Sequence, residues 1–320
     1  MKLVRLTAAC LAYAAMMTTA SAQSFPQRPI RLIVPYAPGG SADIAARLVT
    51  DAWSKSLGGT IVVDNRAGAG GNIGVDAVAK SPADGYTIGL QTVSLAINPG
   101  LFPKMPYDTL KDLAPIGMVA GSQHVLVINN KVPAKNLQEL ISLARAKPDK
   151  MTYGSAGNGS TFHMSAELFK SVANVSIVHV PYRGGGPALV DTIAGQVDMS
   201  FPVISAAQQH VLAGKLTALA VTGSKRSPLL PNVPPAAEAG LPGYNFETWF
   251  MVFAPAGTPK AVIDRLNTTL NAALNGDAKD RMVKEGFDPM PTTPEAARAR
   301  LEKELPMWAQ LIKQRGITAE

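Results

Sequence analysis

The chain has 320 residues, enough for two ordinary domains, and its 47% hydrophobic and 17% charged content is that of a globular protein with a sizeable core. Its 30 basic and 23 acidic residues give a formal net charge of +7, scattered rather than clustered, which argues against a nucleic-acid surface and suits small anionic ligands. The single cysteine, Cys10, falls in the first 22 residues, so the rest of the chain has no disulfide, thiol nucleophile or cysteine-based metal site.

Those first 22 residues read as a secretory signal peptide. Lys2 and Arg5 precede the apolar run "LTAACLAYAAMM", and Ala20-Ser21-Ala22 is a small-x-small cleavage site before Gln23. The run is far short of the ~20 apolar residues that span a bilayer, and no later stretch reaches that length. Cleavage after Ala22 leaves 28 basic and 23 acidic residues. An exported, disulfide-free product fits a bacterial periplasm.

From there the chain alternates. "IRLIVPY" is a β-branched apolar run that predicts a buried strand. "SADIAARLVTDAWSKSL" predicts a helix with Ile44, Leu48, Val49 and Trp53 near one face and Ser41 as N-cap. "TIVVDN" is a strand, "GGNIGVDAVAKS" a short helix and "YTIGLQT" a third strand, a pattern of parallel βαβ units. After "VLVINNKVPAK" it restarts. "NLQELISLARAKP" and "TFHMSAELFKSV" are helices around the strand "MTYGS"; then come strand "VSIVHVPY", helix "GGPALVDTIAG", strand "VDMSFP", helix "AAQQHVLAG" and strand "LTALAVTG". A proline-rich stretch leads to strand "ETWFMVFAPAG" and three helical segments; Pro259 and Pro294 sit at helix starts, and Pro306 is expected to kink or break the last helix. The reading is α/β with two lobes, the second (125–222) inserted into the first (23–124 plus 223–320), with "HVLVINN" and "LTALAVTG" as crossing strands. Two sequential domains would give a similar spacing.

Three glycine turns lead from a strand into a helix: "PYAPGGSAD", "GSAGNGSTF" and "PYRGGGPA". Such a turn presents free backbone N–H groups, the helix dipole adds positive potential, and glycine lets a ligand approach the backbone. It binds an anion without a charged side chain. Nucleotide motifs fail on spacing: Gly214-Lys215 is followed by Leu216, and "GAGGNIG" has Ile73 where a dinucleotide loop needs glycine. His124, His163, His179 and His210 form no metal-binding spacing. Ser160 and His163 can meet on one helical turn, but no G-x-S-x-G elbow or motif-placed acid accompanies them. Asp43 suits backbone capping. Arg183 can grip a carboxylate or simply be solvated. Trp249 reads as core.

The blocks "VPYAPGGSADIAAR", "VDNRAGAGGNIG", "ADGYTIGL", "TYGSAGNGSTFHMSAELF", "VPYRGGGPALVDTIAGQVDM" and "APAGTP", in this order from about residue 25 onward, resemble the Bug-type periplasmic receptors of tripartite tricarboxylate transporters. The resemblance implies a type II periplasmic-binding-protein fold, two αβ lobes with a ligand cleft between them. It implies two jaws around a ligand carboxylate: Tyr36, Pro38, Gly39, Gly40, Ser41 and Asp43 in the first, Ser155, Ala156, Gly157, Asn158, Gly159, Ser160 and Thr161 in the second, with His163 nearby. Thr92, Tyr182 and Arg183 fall at further strand ends facing the cleft. The implied ligand is a small organic carboxylate: a di- or tricarboxylate, an amino acid or an aromatic acid. The implied partners are membrane permease subunits, and the expectation is a monomer without cofactor, metal or catalysis. An exported hydrolase using Ser160 and His163, or a ligand-sensing input to a membrane kinase, are the rival readings.

Overall fold

The computed structural model of the protein describes residues 25–318; the signal peptide expected in residues 1–22, with Cys10 in it, lies outside the described residues. The chain runs β1 (Ile30–Val34), α1 (Ser41–Leu57), β2 (Ile61–Asn65), α2 (Asn72–Ala79), β3 (Thr87–Thr92), α3 (Ser94–Leu101) and β4 (Leu113–Gln123). It continues through β5 (Val125–Asn129), α4 (Leu137–Ala146), β6 (Thr152–Ser155), α5 (Thr161–Ala173), β7 (Val178–Pro181), α6 (Gly185–Ala194), β8 (Met199–Ser200), α7 (Ile204–Leu212) and β9 (Leu216–Val221). After the irregular stretch 222–246 come β10 (Glu247–Pro255), α8 (Lys260–Asn275), α9 (Lys279–Lys284), β11 (Asp288–Pro289) and α10 (Pro294–Arg315). Among the described residues no helix is long and apolar enough to cross a membrane.

Two sheets result, one per lobe. The first has the order β11-β4-β10-β3-β1-β2 and the second β7-β6-β8-β5-β9. The βαβ alternation is realised in β1, β2 and β3, which pair in parallel, and in β6, β7 and β8. Neither sheet is parallel throughout: β10 lies antiparallel between β3 and β4, and β5 lies antiparallel between β8 and β9. β1 lies inside the sheet between β3 and β2, and four of its five residues are buried. The apolar face of α1 packs on this sheet through Ala45, Val49 and Ala52, and the Trp53 indole N–H donates to Thr269 Oγ1 on α8 at 3.0 Å. Gly58, in the left-handed conformation at φ +73°, terminates α1.

The chain passes between the sheets at His124 and again after Thr222. His124 N–H donates to Thr222 Oγ1 and Thr222 N–H donates to His124 O, both at 2.9 Å, so the two crossings are bonded to each other.

Local expectations were overturned in four places. α3 and β4 were not predicted: Pro99 lies inside α3, and β4 reads "LAPIGMVAGSQ", poor in β-branched residues. Gly40, not Ser41, is the N-cap of α1. β8 is only two residues long. Pro306 does not end α10, which continues to Arg315 because Leu301, Trp308 and Ile312 on either side of it are buried in the core. Trp249 is core, as read, with its indole N–H donating to Glu304 Oε2 at 2.8 Å.

Candidate functional site

The turns that follow β1, β2, β3, β6 and β7 each lead into a helix, α1, α2, α3, α5 and α6 respectively, and they converge where the lobes meet. In open α/β sheets this end of the strands is the usual place for a ligand.

The first jaw is held from behind. The Asp43 carboxylate accepts from Gly39 N–H at 3.0 Å, from Arg47 Nε at 3.0 Å and from Asn65 Nδ2 at 3.1 Å. Burial alone would raise its pKa, but these donors outweigh it and hold the carboxyl below its ordinary range. Both oxygens therefore brace the loop. The Tyr36 hydroxyl, buried, lies 3.2 Å from Gly70 O and 3.3 Å from Ser94 Oγ, and burial raises its pKa.

The second jaw rests on a stack of three rings. Tyr153 stacks on His179 at 4.8 Å between centroids, and His179 on His163 at 4.4 Å. His163 Nδ1 accepts from Gly159 N–H at 3.2 Å. Ser155 Oγ accepts from Gly157 N–H at 3.0 Å and lies 2.5 Å from His179 Nε2. Ser160 caps α5, its hydroxyl accepting His163 N–H at 3.4 Å. Ser160 thus meets the backbone of His163 rather than its ring, and the ring is engaged by Gly159. Burial, reinforced by Lys170, pushes His163 down to about 4. Burial, then His163, push His179 down to about 3. A ring so hard to protonate is a poor general base at neutral pH.

The jaws meet along a glycine seam. Ala37 N–H donates to Arg183 O at 3.2 Å and Ser94 Oγ donates to Gly159 O at 2.8 Å. A Cβ on Gly184 would lie 2.8 Å from Ala37 N, one on Gly186 2.7 Å from Pro38 O, and one on Gly40 3.5 Å from Gly185 N. A Cβ on Gly70 would overlap Asn158 O.

Of the residues expected from sequence, Tyr36, Gly40, Ser41, Thr92, Ala156, Ser160 and Thr161 line one inner pocket between the lobes. Its free volume is about 10 Å³, room for roughly one water. Pro38, Gly39 and Tyr182 line a groove on one side of the seam, and Gly157, Asn158 and Arg183 a chamber on the other. Gly159 is in the seam itself, and Ser155 and His163 lie beneath their loop, both buried. Arg183 is exposed. Sequence reasoning missed Ser94, which bonds across the seam, and the loop 67–71, whose glycines were tested only as a nucleotide motif. The cluster "GAGGN" directly after a strand was the available signal.

Comparison with known proteins agrees with this architecture. Residues 45–317 match the family TctC, described as the tripartite tricarboxylate transporter family receptor. BugT of Bordetella pertussis is 40% identical over 309 residues, covering 96% of this chain and 95% of that protein. The structure of the periplasmic binding protein BugD superimposes with a TM-score of 0.89 at 33% identity, over 92% of this chain and 100% of that one. The R. palustris protein Rpa4515, solved with adipate, gives a TM-score of 0.88 at 38% identity, over 92% of this chain and 99% of that one. With two αβ lobes, jaws built from helix N-termini and this match over most of its length, the chain belongs to the receptor family of the tripartite tricarboxylate transporters.

Proposed function

We propose that the mature protein is a periplasmic receptor that captures a small organic carboxylate between its lobes and hands it to the membrane subunits of a tripartite transporter, with no chemistry of its own. The reading rests on one feature above all. Two helix N-termini, those of α1 and α5, come from different lobes and face a shared pocket lined by Gly40, Gly185, Tyr36, Ser41, Thr92, Ser160 and Thr161. Both helices are long enough, at 17 and 13 residues, to carry a full dipole. Their amide donors suit a carboxylate, and enclosure from water strengthens each bond. The adipate-bound relative supports an organic acid as the ligand class.

We assign the lobes to 23–124 plus 223–320 and to 125–222, with movement about the paired crossings at His124 and Thr222. Because the inner pocket holds about 10 Å³, a carboxylate enters only when the jaws part, so binding and lobe movement are coupled. Within the jaws, Gly40 and Ser41 on one side and Thr161 on the other act as backbone donors, while Gly39, Gly157 and Gly159, whose N–H groups are committed to Asp43, Ser155 and His163, shape the two loops. Asp43, Ser155 and His163 set the loops in place. Export follows from the signal peptide read in residues 1–22.

The test is thermal unfolding of the protein from Gln23 onward against a panel of mono-, di- and tricarboxylates, amino acids and aromatic acids. A ligand at ~100 times its Kd adds about 2.7 kcal/mol, which raises the melting point by on the order of 5 °C at this size. A selective shift that disappears in Gly159→Val supports the assignment. No shift with any acid, after unfolding and refolding to strip ligand carried through purification, rejects it.

A further inference from the structure

The loop 67–71 carries glycines without nucleotide spacing, yet it sits at the seam. Gly70 abuts Asn158, and a Cβ on Gly157 would lie 3.6 Å from Gly70 N. Beside this contact lies a chamber of about 680 Å³, within the range of small-molecule sites. Its walls come from both lobes: Ala67, Ala69, Ile73 and Phe102 from the first, Pro181 and Arg183 from the second. Ala156 borders both this chamber and the inner pocket, so the two lie next to each other.

The wall chemistry is selective. Most of its side chains are methyls, a branched alkyl, a phenyl ring and a pyrrolidine; the polar ones are the Asn158 amide, the Tyr182 phenol and Arg183, the one cation, and there is no carboxylate. The Tyr182 hydroxyl, which would otherwise suit a ligand hydroxyl, is committed to Asp191 Oδ2 at 2.8 Å. Ile73 is 55% exposed, among the most exposed large apolar residues of the described chain. Its side chain lies over Gly68, where an added Cβ would be 2.5 Å from Ile73 Cδ1. Phe102 is fixed against the second jaw: a Cβ on Gly159 would lie 2.8 Å from Phe102 Cε2. A short hydroxylated acid would leave this surface wet and find few partners for its hydroxyls.

Resting on the receptor reading above, we propose that the ligand carries an apolar body of about six carbons or more, ring or chain, which covers Ile73 and Phe102 while its carboxylate sits between the jaws. Arg183 at the rim accommodates a second acidic group where the ligand has one.

Calorimetry on the protein from Gln23 onward, with benzoate, adipate, malate and citrate as probes, tests this. Benzoate or adipate is expected to bind at least about tenfold tighter than malate or citrate, and the two arms tell a ring from a chain. Ile73→Asn, neutral and at an exposed position, is expected to weaken the preferred apolar acid about tenfold while changing malate by less than about threefold, and Ile73→Leu to restore it. Tightest binding of malate or citrate, or an Ile73→Asn variant that weakens all acids alike or none, overturns the chamber assignment and leaves the receptor standing. Failure of every acid to bind overturns both.

Discussion

Gly40 is the N-cap of α1 and Gly159 directly precedes the N-cap of α5, and their backbones differ. Gly159 sits at φ +75°, and a side chain there would press on Asn98 and Phe102 of the facing lobe. Gly40 has φ −83°, and a Cβ there makes only ordinary contact, 3.5 Å from Gly185 N. We expect Gly159→Ala to cost about 1–2 kcal/mol of stability from left-handed strain and to weaken ligand binding more than tenfold by blocking the seam. Gly40→Ala should leave both nearly unchanged, whereas the added carbons of Gly40→Val reach Gly185 and weaken binding. Calorimetric titration with urea unfolding of each variant separates the two costs. The glycine turns were legible as anion sites in sequence; which glycine tolerates a methyl was not, since that depends on atoms of the other lobe. The histidines show the same limit. His124, His163 and His179 sit at about 4, about 4 and about 3, in each case chiefly because burial penalises the charged ring. Their folded pKa values lie below the ordinary 6.5, so the unfolded chain takes up protons first as pH falls. Their contribution is complete above about pH 7 and is lost between about pH 6.5 and 4. His124 alone should cost on the order of 3 kcal/mol by pH 4, and urea midpoints measured across that window should fall steeply, less so in His124→Phe.

Elements whose residues obey one period were readable; those held by neighbours were not. α1 carries its own stripe and its own C-terminal glycine, so its bounds followed from sequence. β4 has only Ile116 and Val119 as β-branched residues and no alternation, and its 11 residues are strand because β10 pairs along nearly all of them. α10 is the sharpest case. Pro306 removes the N–H that would bond Glu302 and ordinarily breaks a helix. Here Glu304 accepts from both Trp249 and Trp308 and pairs with Arg300, while Leu301 and Ile312 anchor the turns on either side. Packing therefore overrides propensity, at a local cost. Pro306→Ala should recover part of it, raising stability by about 1–3 kcal/mol with ligand affinity unchanged, as read by melting temperature and calorimetry. A drop in stability would mean that the helix needs the proline's bend to reach β4 and α3.

At the scale of the whole molecule, the alternation of strands and helices revealed two αβ lobes, but the antiparallel placement of β10 and β5 depends on where the chain crosses. That information is long-range: His124 and Thr222 bond across 98 residues of sequence. On the reading proposed above, the same separation lets the lobes move. The paired crossings and the irregular stretch 222–246 link them covalently, whereas the seam includes the hydrogen bonds Ala37–Arg183 and Ser94–Gly159 and a set of glycine contacts. Such a seam contributes modestly, since each net hydrogen bond is worth about 1 kcal/mol. Closure is therefore poised, and a ligand shifts it only by the difference in its affinity for the two arrangements. Gly184→Ala tests this at the seam, because its methyl would sit 2.8 Å from Ala37 N, a backbone atom of the first jaw that cannot yield locally. Small-angle scattering should give the ligand-saturated wild type a radius of gyration near ~19 Å, the value for a compact chain of this length, and the variant a measurably larger one at the same ligand concentration. Its affinity should fall, and its urea stability without ligand should drop by about 1–3 kcal/mol because Gly184 sits at φ +157°, where a side chain is strained; the larger radius at saturating ligand is the readout that strain alone does not move. A variant as compact as wild type, with full affinity, would show that the lobes do not need the seam to close.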